Sequence, residues 1–265
     1  MVENAKIWRI NAFDNMELLK AQYVSQTFPK HYHDTFCIGL IEQGAEFLAF
    51  NNKKLVANAG KVVLIDPGVV HANYAFDPDG WNYRMIYLNP EVMTFLAGQA
   101  VYTGNQVIDH PQLFELILNF HRLAENLQSP SMVLRDIVQL LAQIGEKCPP
   151  EPQKRLRERF QVTQAFIDEH YTEKISMAML EQVAGLNKYK LIRIFKQQLG
   201  LTPFEYILLR RVELAKKQLL QNQALSQIAL EVGFYDQSNF TRYFKKYTGV
   251  SPQVYRKGCN ILQDK

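Results

Sequence analysis

Residues 226 to 256 read SQIALEVGFYDQSNFTRYFKKYTGVSPQVYR, and this stretch decides the fold. The spacing predicts a helix, a tight turn at Gly233 and a second helix carrying Arg242 and Lys245 outward, with Gly249 as its stop and Pro252 as the restart. That is a helix-turn-helix, whose second helix can enter a DNA major groove.

The pattern occurs twice. Leu191 to Lys196, followed by Gly200, Thr202-Pro203 and Tyr206, aligns with Phe240 to Lys245, followed by Gly249, Ser251-Pro252 and Tyr255, at a constant offset of 49 residues. In the first unit Ser176 caps a helix ending before Gly185, and Asn187 caps a recognition helix over 188–199. Leu191, Ile194 and Phe195 face inward, leaving Tyr189, Ile192, Arg193 and Lys196 outside. In the second unit Phe240, Tyr243 and Phe244 pack inward and expose Gln237, Ser238, Asn239, Thr241 and Arg242. Arg, Gln and Asn read guanine and adenine edges, whereas Lys196, Lys245 and Lys246 suit phosphates. Between the units Thr202-Pro203-Phe204-Glu205 combines a capping box with an N1 proline and opens a connector helix to about Gln221, roughly 28 Å long. On it Arg210, Arg211, Lys216 and Lys217 either touch the DNA backbone or form a solvated face.

On these motifs, Gly-Phe, Arg-x-Phe-Lys, Gly and Ser-Pro-x-x-Tyr-Arg, the span from about 160 to 257 resembles the DNA-binding domain of the AraC/XylS-type bacterial transcription regulators. The resemblance implies seven helices, two helix-turn-helix units and double-stranded DNA as partner. It also allows contact with RNA polymerase. Glu181 departs from the pattern, since the second unit has the small Ala229 at that place, and crowding there would loosen the first unit on DNA.

Charge divides the chain in the same way. Residues 1–150 hold 11 Lys and Arg against 15 Asp and Glu, and residues 151–265 hold 19 against 11. Contact with a polyanion is thereby assigned to the C-terminal half. Cys37, Cys148 and Cys259 are too widely spaced for a disulfide framework or a zinc finger. Neither a signal peptide nor an apolar run of membrane-spanning length is evident, so a cytoplasmic protein with no membrane partner is expected.

The N-terminal 110 residues show strand-like runs at 36–41, 45–50, 61–65 and 83–88, separated by turn clusters such as Asn51-Asn52 and Asp77-Pro78-Asp79-Gly80. A small β-barrel or double-sheet sandwich with a ligand-holding interior is expected. His31 and His33 alternate, and His71 follows a Pro-Gly turn. This arrangement resembles the cupins, in which a His-x-His pair and a later His ligate a metal. The Glu that cupins add four or five residues after the pair is absent, those places being Cys37 and Ile38, with Glu42 too late. Metal binding, polar contacts to an effector and structural roles all remain open for the three histidines. Trp81, Tyr83, Met85 and Tyr87 share one strand face and Arg84 takes the other, as in a pocket wall or a barrel core. The candidate effector contacts are His31, His33, His71, Trp81, Tyr83 and Arg84. No catalytic constellation or phosphate loop appears, and no cofactor is expected.

From Pro111 the apolar period becomes helical, giving a hairpin over 111–147 that caps the barrel, packs within the chain or forms a homodimer. Prolines at 149, 150 and 152 mark a linker over 149–156. The resulting expectation is an α+β chain of two domains. Residues 1–148 form a cupin-like effector-binding and dimerisation domain, and residues 157–265 an all-α domain with helix-turn-helix units at 176–199 and 226–248. The layout also matches the members of the family that carry such an N-terminal domain. It implies a sequence-specific transcription regulator, an activator or a repressor, that senses a small molecule. The alternatives are a metal-dependent cupin enzyme tethered to DNA and a regulator without a small effector.

Overall fold

The computed structural model describes residues 4–145, 154–221, 223–257 and 260–262. The expected linker prolines, Cys148 and Cys259 lie outside the described residues. The chain divides into two compact units, one built mainly on the N-terminal 145 residues and the other on 154–256.

The first unit is a sheet of β1 (Asn4–Ile10), β2 (Met16–Tyr23), β3 (Thr27–His31), β4 (Phe36–Phe50), β5 (Lys54–Asn58), β6 (Val62–Ile65), β7 (His71–Ala75), β8 (Trp81–Leu88), β9 (Gln106–Ile108) and the late strand β10 (Asn260–Leu262). Its central order is β1-β2-β8-β4-β6-β9, while β5 and β7 pair with the second half of β4 and β3 pairs with β7. All the registered pairs are antiparallel except β1 with β10. Strands β1, β2, β5, β7, β9 and β10 lie outside the expected runs and the alternation of His31 and His33, and β1 and β2 are the longest of them. Met16-Glu17-Leu18-Leu19-Lys20-Ala21 is rich in helix formers, and burial on both faces blurs the alternation that marks a strand. The two runs at 36–41 and 45–50 are one strand, β4, broken in register between Ile41 and Gln43. Such a bulge bends the strand, so that its first half joins β6 and β8 and its second half joins β5 and β7.

The two faces of the sheet have different chemistry. Trp8, Leu18, Ile38, Leu40, Leu64, Ile86 and Leu88 share a wholly apolar core with Met93 of α1 (Pro90–Ala97), Leu113, Ile117 and Phe120 of α2 (Pro111–Glu125), and Leu134, Ile137 and Leu141 of α3 (Ser131–Ile144). Helix α2 starts on Pro111 with the His110 side chain accepting from the Leu113 amide. The opposite, inner face of β2, β4, β7 and β8 is aromatic and polar.

Among the described residues the second unit consists of seven helices: α4 (Lys154–His170), α5 (Met177–Ala184), α6 (Lys188–Gln198), α7 (Pro203–Gln218), α8 (Leu225–Glu231), α9 (Gln237–Thr248) and α10 (Pro252–Lys257). The pairs α5–α6 and α8–α9 are the two helix-turn-helix units. No described helix is long and apolar enough to cross a membrane.

Candidate functional site

The first reader turns at Gly185, whose φ of 60° is left-handed, and Asn187 caps α6 by accepting from the Lys190 amide at 3.0 Å. Leu191, Ile194 and Phe195 are buried, Tyr189, Arg193 and Lys196 are exposed, and Ile192 is half-buried. Glu181 does not crowd the helices. Its carboxylate accepts from the Lys188 amide at 2.5 Å, so it acts as a second cap on α6 and stabilises that helix start. The second reader turns at Gly233, where a Cβ would meet the Thr172 carbonyl at 2.4 Å, and Asp236 caps α9 through the Asn239 amide at 2.7 Å. Gln237, Ser238, Arg242 and Lys245 are exposed, and Asn239 and Thr241 half-buried. The inward set is Phe240, Phe244 and Tyr247, while Tyr243 is half-buried, stacks on Phe234 and carries the Arg242 guanidinium 4.8 Å from its ring centre. Burial pushes the Tyr247 phenol up to about 12.

The connector helix α7 is opened by the full capping box, with the Thr202 amide donating to Glu205 at 2.7 Å and the Glu205 amide to the Thr202 hydroxyl at 3.3 Å. It covers 16 residues, about 24 Å, and so falls short of the expected Gln221. Most of its cations are engaged within the unit. Arg210 pairs with Asp168 at 3.0 Å, Arg211 donates to the carbonyls of Tyr171 and Glu173, and Lys216 pairs with Glu213 at 2.7 Å.

The structure brings His31, His33 and His71 together, with one ligand-capable nitrogen from each within 4.8 Å of the others. His31 and His71 are buried, and their Nδ1 atoms lie 2.7 Å from the Pro29 carbonyl and 3.0 Å from the Val69 carbonyl. A carbonyl at Nδ1 makes that nitrogen the protonated one and puts the lone pair on Nε2. Burial lowers His71 to about 4 and keeps it neutral. The donor set therefore fits a zinc-like ion, with His33 packed between His71 and Tyr87 at ring-centre distances of 5.5 and 5.1 Å.

Trp81 and Tyr83 lie on the inner face, stacked with ring centres 5.9 Å apart, and Tyr23 packs against both. Arg84 is not brought to this group. It points to the opposite face, where it pairs with Glu42 at 3.0 Å and with Glu125 of α2, and so ties sheet to helix. Sequence reasoning missed Glu46 and Asn73. Glu46 is 1% exposed, accepts from Asn73 Nδ2 at 2.6 Å, and burial raises it to about 7. Burial, and then neighbouring groups that include Glu46, also push the Tyr83 and Tyr87 phenols well above their ordinary 10. The bulge is why Glu46 was missed. Cys37 and Ile41 lie opposite Tyr87 and Tyr83 on the inner face, but beyond the bulge Gly44 lies opposite Trp81 and the inward parity passes to Gly44, Glu46, Leu48 and Phe50. The signal available in the sequence is Gly44 inside a strand run, which marks such an irregularity.

Comparison with known proteins gives two family matches, a helix-turn-helix domain over residues 180–258 and an AraC-like ligand binding domain over residues 15–141. A Bacillus subtilis HTH-type transcriptional regulator, YbfI, is 28% identical over 85% of this chain and 86% of its own. The transcriptional activator RhaS of Escherichia coli is 25% identical over 87% of this chain and 88% of its own. Among solved structures, ToxT from Vibrio cholerae O395 is similar with a TM-score of 0.57 at 13% identity, covering 97% of this chain and 98% of that one. A ToxT structure with bound unsaturated fatty acid gives 0.55 at 13% identity, covering 98% and 95%. At these identities the ToxT likeness concerns the fold alone.

Proposed function

As the chain belongs to the AraC family of DNA-binding transcription regulators with an N-terminal ligand-binding domain, we propose that it is a cytoplasmic activator whose first unit senses its effector on the inner sheet face. Activation is the role for which the RhaS relatives are named, and RNA polymerase is the partner such a role requires. The observation that carries the DNA reading is the pair of capped recognition helices, each with an exposed arginine, Arg193 and Arg242, followed by an exposed lysine, Lys196 and Lys245. Tyr189, Ile192, Gln237, Ser238, Asn239 and Thr241 complete the proposed reading surface. A homodimer through α2 and α3 is supported by Leu127, in the turn between the helices, and Met132, in the first turn of α3, apolar side chains 73% and 83% exposed. The curated relatives are transcription regulators, and we read this chain as one without catalytic activity.

Fluorescence anisotropy on promoter DNA tests the reading. Replacing Arg242 by Ala is expected to cost about 1–3 kcal/mol and relax one base position, and Lys245→Ala to weaken all sites alike and lower the salt slope by about one. Binding that ignores salt and both substitutions refutes it.

The histidine geometry favours a second reading of the same unit, a regulator that holds a transition metal on His31, His33 and His71, which would supply Lewis acidity or a structural anchor there. Metal analysis of the purified protein decides it. Stoichiometric metal that is lost on His33→Ala supports the site, and metal-free protein that binds no added zinc removes it. The fatty acid of the ToxT structure is not carried over, because at 13% identity that likeness concerns the fold alone.

A further inference from the structure

We propose that the inner face of the first unit binds a small organic ammonium bearing N–H donors, held by the Glu46 carboxylate beside the rings of Trp81 and Tyr83. The proposal rests on the effector-sensing reading of this unit and names the chemical class of its ligand.

Glu46 is the observation that demands such a ligand. Its Oε1 accepts from Asn73, but its Oε2 has no hydrogen-bond partner among the described residues, and neither has the Asn73 Oδ1. Both orphaned atoms are acceptors, and both residues are at least nine-tenths buried. A buried carboxylate is costly unless a cation or several donors meet it. No described lysine or arginine forms an ion pair with it. Arg9, whose partner residue Glu17 lies opposite Tyr87 on the inner face, is bound to Glu17 at 2.6 Å. Arg84 is bound to Glu42 and Glu125 on the opposite face, and Lys20 lies across from Arg84 on that same face. With Glu46 ionised, the described inner face is therefore short of one positive charge and two donors.

The surrounding groups favour the same chemistry. Trp81 and Tyr83 stack at 16° between planes, Tyr23 lies 5.7 and 6.2 Å from their centres, and aromatic faces attract cations. Gly44 lies opposite Trp81 and Glu46 follows two residues on along the same face of β4, which places the acid next to this wall. A polyol would bring donors without charge. A quaternary ammonium would bring charge without donors, and a carboxylate would bring neither. Trp81 Nε1, also without a partner among the described residues, is a donor and offers a place for a hydroxyl or carbonyl elsewhere on the ligand.

The test titrates the full chain, by the fluorescence of Trp8 and Trp81, with two matched triples: 3-methylbutylamine, 3-methylbutanol and 3-methylbutanoate, and phenethylamine, 2-phenylethanol and phenylacetate. In at least one triple the amine is expected to saturate and to bind about tenfold or more tighter than its alcohol and acid, a difference that Glu46→Gln removes. Circular dichroism checks that the variant folds, and the wild-type series stands without it. The proposal is overturned if no amine saturates, if alcohols or acids bind as tightly as amines, or if Glu46→Gln leaves the amine affinity unchanged. A neutral or anionic compound found by native mass spectrometry on the purified protein also overturns the ammonium class but leaves effector sensing intact. Promoter binding that responds to no compound of any class overturns the sensing reading itself.

Discussion

Replacing Glu46 by Gln should make the first unit more stable, and more so the higher the pH. In the fold burial raises this carboxyl from its ordinary 4.5 to about 7, so between those values the folded chain holds a proton that the unfolded chain has released. Stability then falls as pH rises through that window and levels off above 7. The loss reaches about 2 kcal/mol at pH 6 and about 3 kcal/mol at pH 8, at 1.36 kcal/mol per pH unit between the two ionisations. Glutamine keeps the oxygen that accepts from Asn73 and carries no charge, so the variant lacks this loss. Two histidines act in the opposite sense. His71 and His121, lowered by burial to about 4 and about 3, are neutral in the fold and add stability as pH rises towards 6.5. They contribute equally to both proteins and cancel in the difference. Urea denaturation of wild type and Glu46→Gln from pH 5 to 8, followed by tryptophan fluorescence, should show curves that diverge by up to about 3 kcal/mol, or about 6–12 °C in Tm for a unit of this size. Parallel curves would show that Glu46 is ionised and compensated throughout, which would refute both its burial uncharged at low pH and the charge deficit argued for the inner face.

Three further outcomes follow from the packing. Phe240→Ala removes a fully buried ring packed edge-on against Phe244, and about 3–5 kcal/mol should be lost from the second unit in chemical denaturation. Thr202→Ala breaks the reciprocal capping of α7, so about 1 kcal/mol should be lost, while Thr202→Asn should recover most of it. Met132→Lys alters a side chain 83% exposed on α3 and should leave stability within about 0.5 kcal/mol; if the helices dimerise, sedimentation velocity should show the dimer weakened, and an unchanged dimer places the interface elsewhere.

Legibility in the sequence tracked how local the determinant was. The caps at Ser176, Asn187 and Thr202 are each set by a few neighbouring residues, and they form as the sequence implies. The readers' buried faces follow from the helical period and are right at Leu191, Ile194, Phe195, Phe240 and Phe244. Tyr243, expected inward, is half-buried and stacks on Phe234, which lies outside the helix, while Tyr247 completes the buried face. The partners of Arg210 and Arg211 on α7, Asp168 and the Tyr171 and Glu173 carbonyls, come from α4 and the loop after it, so no local pattern reveals them. The histidines were legible as a group, since His31 and His33 alternate and a Pro-Gly turn returns the chain to His71. Glu46 was not, because one extra residue in β4 reverses which side chains face inward, and no count along an unbroken strand reveals it.

That same irregularity joins the inner face to the helices. Glu42 sits at the bulge and binds Arg84, and Arg84 also binds Glu125, the last residue of α2. Four residues further along β4, Glu46 points to the other side. On β8, Arg84 stands between Tyr83 and Met85, both on the inner face. Ligand sensing requires that the effector bind one arrangement of the unit better than another, and interior packing this close resists gradual deformation. A bulge bends the strand and leaves the extra residue out of the ladder, here between Ile41 and Gln43. Glu46 stands on β4 just past the bulge, whereas Glu42, at the bulge, holds Arg84, whose two acid partners are each about one-quarter exposed. The charge proposed for Glu46 and the Arg84 anchor of α2 thus lie on opposite faces of one irregular strand.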